Sequence, residues 1–280
     1  MRIIEVSKIR DAVRDLCLEA NFVLRRDVLA AIKRAAKSET DPRARGILKS
    51  IIENARLAKS KRLAICQDTG MVTVFLAIGR EVTLEGGDPV NVVNEGVKDA
   101  YSKGYLRKSV VSDPVLRKNT NTNTPAVINM EIVEGDRVKI SVSPKGFGSE
   151  NKSKIKMLKP TDGVSDIKKF VVETVIEAGP DACPPLVLGI GIGGTFEKAA
   201  YLAKKAVFRP IDRHNPKKHL KKLERELFKE INALGVGPMG LGGKTTVLGV
   251  NIEDFPTHIA GLPVAVNISC HATRSAERTL

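Results

Sequence analysis

The sequence contains no tryptophan, three tyrosines and eight phenylalanines among 280 residues. Aromatic platforms on which single-stranded nucleic acid could stack are therefore scarce. No apolar run approaches the roughly 20 residues that a membrane-crossing helix needs. The opening stretch MRIIEVSKIRDAVRDLCLEA carries acids among its apolar residues and lacks the apolar core of a signal peptide, so the expected compartment is the cytoplasm. Cysteine occurs only four times, at Cys17, Cys66, Cys183 and Cys270. No two of these have C-x-x-C spacing, which argues against a zinc ribbon or a thioredoxin-like site. Glutamine is rarer than cysteine: its single copy, Gln67, sits between a thiol and a carboxylate in ICQDTG, residues 65–70.

What is abundant is positive charge. Forty-six Lys and Arg against 32 Asp and Glu give a formal net charge of +14. Much of the excess lies in KKAVFRPIDRHNPKKHLKKLERELFKE, residues 204–230, where mixed signs at helical spacing describe a solvated helix face better than a nucleic-acid footprint. A positive chain also suits small anions or an acidic partner. Hydrophobic residues at 42% are a globular composition.

Periodicity predicts two or three amphipathic helices over 5–38 and 43–59, with SETDPRARG between them. Strands are expected over 71–78 and 80–84, then a helix in VNVVNEGVKDAYSKGY closed by Gly104. AVINMEIVEGDRVKISVSP reads as a hairpin turning at EGDR. A helix over 164–178, a buried strand in PLVLGIGIGG, a helix capped by Thr195 and a final strand running into Cys270 complete the pattern. Helices and strands alternate, so the expected class is α/β, or mixed α+β, with N-terminal helices followed by mixed sheets flanked by helices. The whole of 1–280 is expected to be one domain, mainly helical over 1–60 and α/β over 61–280.

Two glycine motifs invite a phosphate reading. Gly189, Gly191 and Gly194 spell G-x-G-x-x-G, but no acidic strand end follows about 20 residues on, so close strand-to-helix packing explains them better. GLGGKTT fails as a phosphate loop because Pro238 stands where the first glycine belongs. Cys17, in an amphipathic helical pattern, reads as a packing thiol. Cys66, Cys183 and Cys270 instead lie beside turn signals, in CQDTG, DACPP and SCHATR. Thiolates on three separate loops can hold an iron–sulfur cluster, or they can be three unrelated buried thiols, and spacing alone leaves both readings open.

CQDTG, NTNTNTPA, KGFGSENKSK, ACPPLVLGIGIGGT and GLPVAVNISCHATR, in that order, resemble the α subunit of class I, iron–sulfur fumarate hydratases and the closely similar α subunit of L-tartrate dehydratase. The resemblance implies a hydro-lyase that hydrates fumarate to L-malate in the citric acid cycle, or alternatively acts on L-tartrate. It implies a [4Fe-4S] cluster on Cys66, Cys183 and Cys270, with one iron open as a Lewis acid. It also implies Asp68 as the proton-handling residue, with Gln67, Asp68, Arg107, Gly148 and His258 contacting a small dicarboxylate. Arg117 is a rival to Arg107, and Phe147 departs from the family's glycine run. Asn151 and Lys152 share the Gly148 loop. Single-chain members continue for another domain after the third cysteine region, so a β subunit, in a heterodimer or heterotetramer, is the expected partner. The reading from another class is a basic nucleic-acid-binding protein without catalysis; the resemblance implies neither nucleic acid nor membrane as a partner.

Overall fold

The computed structural model describes all 280 residues. The chain opens with strand β1 (Arg2–Glu5) and the helices α1 (Val6–Phe22), α2 (Arg26–Ser38) and α3 (Pro42–Lys61). Strands β2 (Met71–Gly79) and β3 (Val82–Glu85), helix α4 (Pro89–Lys103) and strands β4 (Val127–Val133) and β5 (Val138–Lys145) follow. A single turn, α5 (Phe147–Glu150), leads to β6 (Lys154–Leu158), α6 (Val164–Ala178), β7 (Leu186–Gly193) and α7 (Phe196–Ala206). Helix α8 (Lys218–Ala233) and strands β8 (Val247–Phe255), β9 (Leu262–Ser269) and β10 (Ala276–Thr279) close the order. The class is mixed α/β, as the sequence predicts.

The chain forms two compact units. Unit 1 comprises 1–25, 54–147 and 274–280; unit 2 comprises 26–53 and 148–273. The helices expected over 1–60 are present but are shared between the units.

In unit 1, a four-stranded sheet has the order β10-β5-β2-β4. Its β2 residues Val72, Val74 and Leu76 are buried together with Ile140 and Val142 of β5, Ile9, Val13 and Leu16 of α1, and Val93 and Val97 of α4. Each element shows one apolar face at its own period, and those faces meet. Gly96 lets α4 approach α1 closely, since a Cβ there would lie 2.5 Å from the Arg10 carbonyl. The predicted hairpin does not form. β4 pairs parallel with β2, and β5 pairs antiparallel with β2 from its other side. β2 is apolar along almost its whole length and takes the central place, which separates two strands that are neighbours in sequence.

In unit 2, the sheet order is β6-β9-β7-β8, with β7–β8 parallel and β7–β9 antiparallel. The sequence of β7, LVLGIGIG, alternates large residues with glycine. Leu186, Leu188 and Ile190 pack with Ile167, Phe170 and Val171 of α6 and with Leu223, Leu227 and Ile231 of α8. The glycines face α7: a Cβ on Gly189 would lie 2.1 Å from the Ala203 carbonyl, and one on Gly191 2.0 Å from that of Ala199. The glycine motif is thus a helix-packing groove. Thr195 occupies the N-cap position of α7, but its hydroxyl donates to Glu197 at 2.6 Å rather than capping the backbone.

Candidate functional site

The three turn-side cysteines all lie at strand ends. Cys66 sits in the bend that enters β2, Cys183 precedes β7 by three residues, and Cys270 directly follows β9. Each is partly exposed, whereas Cys17 is wholly buried in the unit 1 core. Burial pushes the Cys17 thiol well above its ordinary range, leaving it an inert packing group. No disulfide joins the four.

In unit 1, the bend 65–70 is held from several sides. Asp68 Oδ1 accepts from Gly70 N–H at 2.9 Å and Oδ2 from Phe147 N–H at 2.7 Å. The turn role of Asp68 is therefore real, and each carboxylate oxygen keeps a second lone pair for other partners. Gly70 has φ +79°, and a Cβ there would lie 2.7 Å from the Lys145 backbone. Thr69 Oγ1 donates to the Arg107 carbonyl at 2.6 Å. That bond ties the Arg107 segment to the bend while the guanidinium stays exposed. Gln67 is exposed and Asp68 half-buried. Arg117 lies in a turn closed by Asp113, whose carboxylate caps Val115 and Leu116 and whose carbonyl accepts from Arg117 N–H at 2.9 Å.

Beneath the bend lies a set of residues that sequence reasoning passed over. Tyr101 is fully buried and its hydroxyl donates to the Thr69 carbonyl at 2.6 Å; burial raises its pKa. Asn123, also fully buried, donates to the Gly70 carbonyl at 3.1 Å and accepts from Ser109 N–H at 2.8 Å. Arg274, 3% exposed, donates to the Asp68 carbonyl at 2.7 Å and to Asn21 Oδ1 at 3.1 Å, and its Nε is buried without a partner. The signal for two of them was present: Asn123 lies in NTNTNTPA and Arg274 closes SCHATR.

In unit 2, antiparallel pairing of Val187 with Ser269 sets the start of β7 beside the end of β9. Cys183 and Cys270 thus flank one sheet end. His271 joins their loops: its N–H and Nδ1 both reach the Cys183 carbonyl, at 3.3 and 3.0 Å. Cys183 has φ +54°, ψ +62°, a left-handed conformation that costs a residue with a Cβ about 1–2 kcal/mol. The Gly148 loop is tied to the same end. Lys152 pairs with Asp181 at 2.7 Å, while Ser153 Oγ accepts from Ile268 N–H and Asn267 Nδ2, at 3.1 and 3.0 Å. A Cβ on Gly148 would meet only the Asp181 carbonyl, at 3.7 Å, so packing alone does not demand glycine there. His258 lies elsewhere, on an exposed turn, with Nδ1 accepting from Ala260 N–H at 3.2 Å.

No three or more His, Cys, Asp or Glu side chains are grouped so as to hold a metal ion. The donor chemistry nevertheless fits a thiolate-held group. Three partly exposed thiols stand at strand ends on hydrogen-bonded loops, and the fourth cysteine is sealed in the core.

The family described as Fumarate hydratase (Fumerase) matches residues 10–279. A chain of Methanocaldococcus jannaschii named "Putative L(+)-tartrate dehydratase subunit alpha" is 46% identical over 275 residues, covering 96% of each chain. The "L(+)-tartrate dehydratase subunit alpha" of Escherichia coli K12 is 32% identical over 272 residues, covering 96% of this chain and 89% of that one. The Shigella sonnei protein of the same name is similar to the same extent, 32% over 272 residues. The chain belongs to the fumarate hydratase family.

Proposed function

We propose that this chain is the α subunit of an iron–sulfur hydro-lyase that reversibly hydrates fumarate to L-malate. The observation that carries the reading is the bend 65–70, where the half-buried Cys66 thiol stands two residues from a carboxylate fixed by the N–H groups of Gly70 and Phe147. Family membership supports the reaction class, and the relatives' names, each a "subunit alpha", support a second subunit.

In this reading Cys66, Cys183 and Cys270 hold a [4Fe-4S] cluster, which when bound supplies Lewis-acid chemistry toward a substrate oxygen. Asp68 takes or returns the proton from its remaining lone pairs, since its turn bonds fix the side chain without using it up. Gln67, exposed beside it, donates its amide to a substrate carboxylate. Arg107, whose backbone is anchored to Thr69, offers a guanidinium fork to a carboxylate and is favoured over Arg117 for that reason. Gly148 leaves room for close approach of a ligand to the backbone, while His258 precedes β9, at the other end of the β7–β9 pair from Cys183 and Cys270, and has no part in this reading. Arg274 is already engaged by Asp68 and Asn21, so one arginine would face a doubly charged substrate. Such a charge is costly to bury under-compensated, and a β subunit would supply the missing cations.

L-Tartrate dehydration is the second reading, favoured by the names of the relatives at 46% and 32% identity. The test is turnover of fumarate, L-malate and L-tartrate by the anaerobically reconstituted chain, with and without its β subunit. Activity on fumarate and L-malate only in the two-subunit sample supports the first reading. Activity on L-tartrate alone selects the second, and equal activity of the chain without a β subunit removes the need for a partner.

A further inference from the structure

Strand β4 is an open edge of the unit 1 sheet, paired only with β2. Natural edge strands are guarded by shortness, by lysine or proline, or by cover from another element. The opposite edge, β10, follows that rule, with four residues that include Glu277 and Arg278. The strand β6 at one edge of the unit 2 sheet follows it too, with five residues that include Lys154 and Lys156. β4 does not. Its seven residues, VINMEIV, include no Lys, Arg or Pro, and Met130 and Ile132 are 44% and 73% exposed.

The backbone of β4 is poised to accept another strand. The Val133 carbonyl accepts from Arg80 N–H at 2.8 Å, so Val133 turns its polar groups toward β2. By alternation Ile128, Met130 and Ile132 turn theirs outward.

The side-chain order specifies which strand. VINMEIV is a near-palindrome about Met130: Val127 mirrors Val133 and Ile128 mirrors Ile132, while Asn129 stands where Glu131 stands on the other side. We propose that β4 pairs antiparallel with β4 of a second copy of this chain, about a twofold axis through Met130, joining the two unit 1 sheets into one of eight strands. In this register Met130 meets Met130 as a hydrogen-bonded pair, Ile128 meets Ile132, Val127 meets Val133, and Asn129 faces Glu131. The alternatives are worse. An axis through Glu131 sets two carboxylates opposite each other, and an axis through Asn129 sets Ile132 opposite Ala126, which lies outside β4. A twofold interface is isologous, so a self-complementary strand is the element it requires.

The test uses the full chain. Sedimentation should show a dimer for the wild type and a monomer for Ile132→Lys, with unchanged circular dichroism in the variant because Ile132 lies at the surface. Under mild oxidation Met130→Cys should form a dimer linked through position 130, identified by mass spectrometry of the tryptic peptide. Ile132→Cys alone should not link, since the two copies of residue 132 would lie about 13 Å apart along the strands. Mixed with Ile128→Cys it should. A monomeric wild type, a dimer that persists in Ile132→Lys, self-linking by Ile132→Cys as ready as by Met130→Cys, or linking of Met130→Cys to a co-expressed β subunit in place of a second copy would each overturn the proposal.

Discussion

Asp68 holds the bend through the N–H groups of Gly70 and Phe147 and is proposed to handle a proton, and its variants should separate the two roles. Asp68→Asn places an amide opposite a backbone N–H and removes the proton acceptor. The expected result in steady-state kinetics is a fall in kcat of about 10²- to 10⁴-fold, larger than any change in KM. Arg107→Ala should show the opposite balance, raising KM more than it lowers kcat, because its proposed work is to hold a carboxylate. Gly70→Ala should destabilise the protein by more than about 1 kcal/mol in thermal melts, since φ +79° and the Lys145 backbone at 2.7 Å both exclude a side chain. At this scale the sequence was informative where a residue stands in a short unusual string, as Cys66, Gln67 and Asp68 do. It was silent on Tyr101, Asn21 and the roles of Asn123 and Arg274, because what makes them matter is burial beneath the bend. Burial depends on contacts across as many as 253 residues of sequence, as between Arg274 and Asn21.

Elements were legible in proportion to their amphipathic length. Helix α6 falls at Val164–Ala178, where its period put it, and β7 and β9 lead out of and into the cysteines as the turn signals indicated. Short polar strands escaped notice: β1, β6 and β10 have four or five residues and too little alternation to register. The hairpin between β4 and β5 failed for a different reason, since local alternation cannot show that a third strand will insert between them. One connection between elements carries a pH prediction. Glu39, at the end of α2, is buried, which opposes its ionisation, but three backbone N–H groups, from Lys244, Asp41 and Thr40, outweigh that and hold its carboxyl below the ordinary value of 4.5. A carboxyl whose folded pKa is depressed contributes stability above its unfolded pKa and loses it as pH falls through the folded value. Denaturant titrations should therefore show the wild type losing stability as pH falls below about 4.5. Glu39→Gln should be less stable at pH 7 and should show a shallower acid dependence. Equal slopes in the two proteins would mean that Glu39 is not a source of the acid sensitivity.

For the whole molecule, the family was legible from five short strings, and the comparisons bear that out over residues 10–279. The division into two interleaved units was not legible, because periodicity shows which face of a segment is apolar and not which other segment covers it. No helix is long and apolar enough to cross a membrane. An iron left open to substrate is open to oxidants as well. Air exposure should therefore abolish activity, and anaerobic iron with reductant should restore it; full activity after prolonged air exposure would remove the Lewis-acid role. The central claim, that three loop cysteines and not the core cysteine hold an iron–sulfur cluster, is tested most directly by iron and sulfide content after anaerobic reconstitution of the wild type and the four single Cys→Ser variants. The account predicts about four irons per chain in the wild type and in Cys17→Ser, and collapse of the iron content in Cys66→Ser, Cys183→Ser and Cys270→Ser. Retention of the full content in any of those three, or its loss in Cys17→Ser alone, would contradict it.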